Sequence, residues 1–174
     1  MRSRMRKNLA FWMTIAVCLV VQLGHAGEPM APAVDFQLRI GGDVERPLTI
    51  NAVDFAKLER HTVRERGHDG REGTFEGVAI VDLLRLAGVP LGKDLRRDRM
   101  LTYLVVEAAD GYQVVFALPE IDLAFTDRAI LLVDRGDQQP LSSHDGPLQV
   151  IVPGAKRHAR WVRQVTTFTI RRAG

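Results

Sequence analysis

The residues with the most chemistry in this sequence lie between Gly146 and Val165, in the stretch GPLQVIVPGAKRHARWVRQV. A run from Leu148 to Val152, apolar apart from Gln149, ends at Pro153-Gly154, because proline lacks a donor and glycine accepts positive φ. Lys156, Arg157, His158 and Arg160 follow, closed by Trp161. A buried strand thus brings cations and an indole to one edge. Fixed donors beside an aromatic ring suit a small, planar anion or an acidic partner protein. A solvated basic turn with Trp161 in the core is the competing reading. Arg64, Arg66 and His68 form a second group, and Tyr112 follows a turn that could bring it to the same edge. The binding group expected here is therefore Arg64, Arg66, His68, Tyr112, Lys156, Arg157, His158, Arg160 and Trp161.

Other chemistries are poorly supplied. His61, His68, His144 and His158 show no helical ligand spacing, and no thiolate stands near them, so no metal site is expected. Ser142, Ser143, His144 and Asp145 are chain neighbours, whereas a nucleophile, base and orienting acid must converge from separate places. No Gly-x-Ser-x-Gly elbow is present. The segment reads as a polar turn, and no catalytic residue is nominated. Glu120 and Asp122 read as charges at the positive end of a short helix.

The elements that must position these residues alternate irregularly. Phe36, Leu38 and Ile40 have strand period, and Arg46–Ile50 reads as a second strand. Asn51 caps a helix expected over Ala52–Arg60, with Phe55 and Leu58 buried. His61–Arg66 is expected to be a strand and Gly67–Gly73 a polar loop. Phe75–Val78 then leads into a helix carrying Ile80, Leu83, Leu84 and Ala87, stopped by Gly88 and Pro90. Leu91–Arg99 is expected to be a charged connection. Leu101–Ala108 and Tyr112–Leu118 flank Asp110-Gly111, a hairpin signal. Pro119–Phe125 is expected as a short helix, Ala129–Val133 as a strand, Asp134–Pro147 as a long loop, and Val165–Ile170 as the last strand. More strands than helices, irregularly mixed, predict an α+β fold.

Residues 1–26 have the layout of a cleaved export signal. Arg2, Arg4, Arg6 and Lys7 precede an apolar run, and Gly24-His25-Ala26 supplies small residues for cleavage. Residues 27–34 form a leader and 35–174 one domain. The chain has 24 Lys and Arg against 21 Asp and Glu; removing the signal takes four cations, leaving 20 against 21. A nucleic-acid role argued from net charge then has no basis. The single cysteine, Cys18, leaves with the signal. The expected location is periplasmic, with membrane contact only through an uncleaved signal segment.

Four stretches, in order, resemble the sulfite-oxidase-type molybdopterin-binding domain in its short exported bacterial form. They are VERPLTI at Val44, FEGVAIVDLLRLAGV at Phe75, AADGYQVVFALPEID at Ala108, and the Gly146 stretch. The resemblance implies a mixed-sheet, barrel-like α+β fold with short helices. It also implies a loop after the third strand that shares a pocket with the basic loop. Enzymes of the family hold molybdenum through a cysteine after that strand; here Glu65 stands near its place and His68 stands where asparagine is expected. A carboxylate is a poor substitute for a thiolate. The expectation is a binding module for a small anionic or pterin-like ligand, or for an acidic periplasmic protein, with no thiolate-held metal. The alternatives are a molybdopterin-dependent oxidoreductase with a non-cysteine ligand, and a partner subunit of a membrane sensor or redox protein.

Overall fold

The computed structural model describes residues 35–174. The segments read as export signal and leader lie outside the described residues. Two five-stranded sheets carry the fold. The first runs β2-β1-β10-β5-β6, and the second runs β3-β4-β7-β8 with β9 also paired to β7. In the first, β1 (Gln37–Gly42) pairs antiparallel with β2 (Leu48–Asn51) and parallel with β10 (Val165–Arg172), so first and last strands lie side by side. β5 (Thr102–Ala108) joins β10 to β6 (Gln113–Ala117). In the second, β4 (Glu72–Ala79) lies between β3 (His61–Arg66) and β7 (Leu131–Gly136). The sheets do not close into a barrel, which corrects the barrel-like expectation: β2 and β6 remain free edges of the first sheet.

Alternation sets the faces. Leu38 and Ile40 are buried while Gln37 and Arg39 are exposed, as period two requires. Leu104, Val106, Phe116, Phe168 and Ile170 from three adjacent strands turn the same way and are fully buried or within 1% of it. They join Val78, Leu132, Val150 and Ile151 of the second sheet in one core.

Helices are shorter than their sequence signals. Asn51 caps α1 (Ala52–Ala56) by accepting from the Asp54 amide at 2.9 Å. The helix stops before Arg60, whose guanidinium is drawn to Glu76 (3.0 Å) and Asp134 in the second sheet. Residues 75–78 do lead into a helix, as the last part of β4, where the stretch is paired on both sides. Gly77 makes the central position possible: a Cβ there would run into the backbone of Leu132 and Val133. α2 (Ile80–Leu86) then buries Ile80, Val81, Leu83 and Leu84 and stops at Gly88, which has φ +76°. The charged connection contains two short 3-10 turns, Gly92–Asp94 and Arg97–Leu101.

α3 (Leu118–Ile121) is a single turn, and only Glu120 caps it, accepting from Ala117 N at 2.7 Å. Asp122 lies past its end. It is 3% exposed and accepts from the amides of Gly92 and Ala124, so it ties two loops together. β7 continues beyond Val133 and folds back onto β8 (Gln139–Pro140). The turn is Asp137-Gln138, both at positive φ (48° and 66°). That is hairpin-turn geometry without the usual Asn-Gly or Asp-Gly signal, so the expected long loop is partly a hairpin.

Candidate binding cleft

Two loops meet where the sequence concentrates its cations. After β3 the chain turns tightly: Gly67 N donates to Arg71 O at 2.8 Å and Arg71 N to Asp69 Oδ1 at 3.0 Å. This holds His68 outward. From the other side, β9 (Gln149–Ile151) delivers Pro153-Gly154 and the turn His158–Arg160. Gly154 N donates to Glu65 Oε1 at 2.8 Å and fastens one loop to the other.

The junction is an aromatic stack. Trp161, 3% exposed, donates its indole N–H to Val152 O at 3.2 Å. The His158 ring stacks on it at 4.2 Å with 26° between planes. His68 meets His158 edge-on at 4.7 Å, and Phe75 meets Trp161 edge-on at 5.6 Å. Tyr112, at the β5–β6 turn, donates its hydroxyl to Ala159 O at 2.7 Å, so the first sheet also clamps this turn.

Three hollows surround the stack. A cleft of about 450 Å³ has His68, Phe75, His144, Gln149, Trp161 and Arg163 among its walls. A smaller hollow of about 220 Å³ lies between Tyr112, Asp110 and His158, and an open one of about 460 Å³ runs past Lys156 and Arg157. Five residues of the sequence-nominated group, His68, Tyr112, Lys156, Arg157 and His158, thus gather here with Trp161.

The other three do not. Arg160 is turned away: it pairs with Glu120 at 2.8 Å and lies 4.3 Å from the Phe116 ring centre. Arg66 lies on the exposed face of β3 beside Glu72 at 3.5 Å, and Arg64 projects from the same face. The expected excess of free positive charge also differs from what the fold builds. The three hollows are lined by four cations, Arg71, Lys156, Arg157 and Arg163. Five carboxylates accompany them, on Asp69, Glu72, Asp110, Asp137 and Asp145. The acids arrive from loops far apart in sequence, which no local charge count could register.

Sequence reasoning missed Arg163, His144, Asp145, Gln149 and Phe75 as wall residues. Arg163 Nε lies 2.9 Å from Asp145 Oδ1, and its Nη1 lies 2.6 Å from His144 Nε2. Ser142 Oγ donates to Asp145 Oδ2 at 2.8 Å, so the Ser-Ser-His-Asp segment is a turn braced by Arg163. Gln149, 3% exposed, lies at the cleft wall. It did carry a signal, as the one polar residue in an apolar strand. The His68 imidazole is held below its ordinary range, first by burial and then by the positive charge of Arg163. Among the described residues no group of three or more His, Cys, Asp or Glu is placed to hold a metal ion. A further hollow of about 310 Å³ beside Arg60 is apolar apart from that residue's ion pairs and its neighbour Arg135.

Two open sheets, one mixed and one antiparallel, a few one- and two-turn helices and a cleft between the strand-three loop and the last loop define an α+β domain of the sulfite-oxidase type. Residues 25–173 match the family model described as the oxidoreductase molybdopterin binding domain, and the chain belongs to that family. The solved structures that share its fold include the sulfane dehydrogenase SoxCD from Paracoccus pantotrophus. That match has a TM-score of 0.61 and 21% identity, over 78% of this chain and 38% of that one. This chain therefore spans well under half of that protein chain. No curated protein matches the sequence.

The family implies a molybdenum cofactor, and the residues present fit it only in part. Residues 35–174 contain no cysteine, and Glu65, near the end of β3, already accepts from the Gly154 amide. A thiolate-held metal does not fit this donor set. Ring surfaces, an amide and guanidinium groups remain for the organic part of such a molecule.

Proposed function

We propose that this chain is an exported binding module of the molybdopterin-binding family. Its cleft takes a small, planar, anionic ligand of pterin-like chemistry and holds no molybdenum through sulfur. The observation that carries the reading is the double commitment around Glu65. The carboxylate near the cysteine's place is engaged by Gly154, while Trp161, with His158 stacked on it, Gln149 and Arg163 wall an adjacent cleft. Stacking on an indole–imidazole pair orients a flat ring. The Arg163 guanidinium and the Gln149 amide supply directional hydrogen bonds at its edge.

Two measurements test this. Protein purified from an exporting host with an intact cofactor pathway should carry no stoichiometric molybdenum by metal analysis. Pterin-6-carboxylate, a planar anion, should bind at about pH 6, with Arg163→Ala weakening it about 10- to 100-fold, the worth of a hydrogen bond to a charged group. Stoichiometric molybdenum would instead favour the second reading, an oxidoreductase with an oxygen or nitrogen ligand, for which the family match over residues 25–173 speaks.

A further inference from the structure

Three of the four histidines in the described chain gather from three separate loops. His68 and His144 line the cleft, and His158, which borders the two adjoining hollows, lies with its ring 4.7 Å from that of His68. The fourth, His61, lies elsewhere, 3.6 Å from Asp82. Three imidazoles gathered around an arginine are an unusual choice for a site of fixed charge, because each changes charge near neutral pH.

The His144–Arg163 contact shows what that change does. Arg163 has only donors, so at 2.6 Å His144 Nε2 must be the acceptor and its proton sits on Nδ1. Protonating Nε2 removes the acceptor and sets two cations face to face. Arg163 then keeps Asp145 as its single partner, and its Nη1 is freed toward the cleft.

We propose that the cleft binds its anion together with protons, taken up on His144, His68 and His158. This rests on the binding reading above and specifies how that site is controlled. With neutral imidazoles the two cations of the cleft, Arg71 and Arg163, are outnumbered by four carboxylates, and an anion gains little. Charging His68 and His144 evens that balance, and a charge on His158, 4.7 Å from His68, tips it toward an anion.

Every charged group facing the three rings enters this balance. On the strand-three side they are Asp69, Arg71 and Glu72, with Asp137 from the β7–β8 turn. Around His144 they are Asp145 and Arg163, and around His158 they are Lys156, Arg157 and, across the smaller hollow, Asp110. Several of the acids are already engaged: Asp137 accepts from Thr74 N at 2.8 Å, and Asp69 accepts from Arg71 N at 3.0 Å. The downward bias on His68, from burial and Arg163, fits a ring that charges only when an anion arrives.

The test is calorimetric titration of the full chain with pterin-6-carboxylate at about pH 5.5 and pH 7.5, repeated in buffers of different ionisation enthalpy. The expected result is binding at least about tenfold tighter at the lower pH, with net uptake of one proton or more. His144→Gln keeps an acceptor for Arg163 but cannot charge. Whatever its affinity at the higher pH, it should lose part of the gain between the two pH values, and an undiminished gain would remove His144 from the coupling. Equal affinity at both pH values, with no proton uptake, would overturn proton coupling and leave the binding reading standing. No binding at either pH would overturn both. A readout free of ligand is the His68 ring titration followed by NMR: Arg163→Ala should move it to higher pH, and an unmoved titration would remove Arg163 from the coupling.

Discussion

At the scale of single residues, Trp161 joins structure to recognition. Its body fills the junction of two loops, its N–H is satisfied by Val152 O, and one face carries His158. Trp161→Ala should cost about 3–5 kcal/mol by chemical denaturation, as for other large buried aromatics. Tyr112→Phe is milder. Its hydroxyl reaches Ala159 O at 2.7 Å from a half-exposed ring, so the loss should be about 0.5–1.5 kcal/mol. The same variant should release the 158–160 turn, seen as faster amide exchange there with the sheets unchanged. Arg160 is among the nine binding residues expected from sequence, but the geometry assigns it to Glu120 and Phe116. Arg160→Ala should therefore affect stability more than pterin-6-carboxylate affinity.

At the scale of elements, the cleft exists because β4, paired on both sides, carries Phe75 to the stack. That depends on Gly77, where β4 passes against β7 with no room for a side chain. Gly77→Ala should destabilise by about 3 kcal/mol, the upper end for overpacking, because the obstacle is backbone and cannot turn aside. Thermal unfolding of the variant checks this. A transition unchanged from wild type would show that β4 and β7 separate more easily than their register implies. The Glu65–Gly154 bond is the matching device between loops. It joins the end of β3 to the turn after β9 across 89 residues of chain.

At the scale of the whole molecule, the pH response of stability has a defined sign. His68 in the folded chain holds its proton less tightly than in the unfolded chain. Its contribution is thus intact above the ordinary histidine value, about pH 6.5, and is lost as pH falls through the folded-state value. Without ligand, the melting temperature should drop between about pH 7 and pH 5, and His68→Gln should flatten the drop. Pterin-6-carboxylate should oppose the drop, since a ligand that binds only the folded state stabilises it.

Much of this molecule was legible in its sequence because the signals are local. The periodicity of Leu38 and Ile40, the Asn51 cap, the Gly88 stop and the Asp110-Gly111 turn each act within a few residues. Together they define a mixed α+β chain, and four ordered stretches place it in its family. The sequence also carried the absence of cysteine after Cys18 and the concentration of cations beside Trp161. It could not carry which charges survive unpaired. Arg160 meets Glu120 across 40 positions, and Arg163 is held by a turn begun 21 positions earlier. Asp137 enters the cleft on a hairpin that no turn motif announced. Pairing depends on distance in space, and chain order constrains that distance only weakly. The tertiary structure alone therefore decided that the basic rim is balanced by acids and that two histidines share one cleft with a third packed against them.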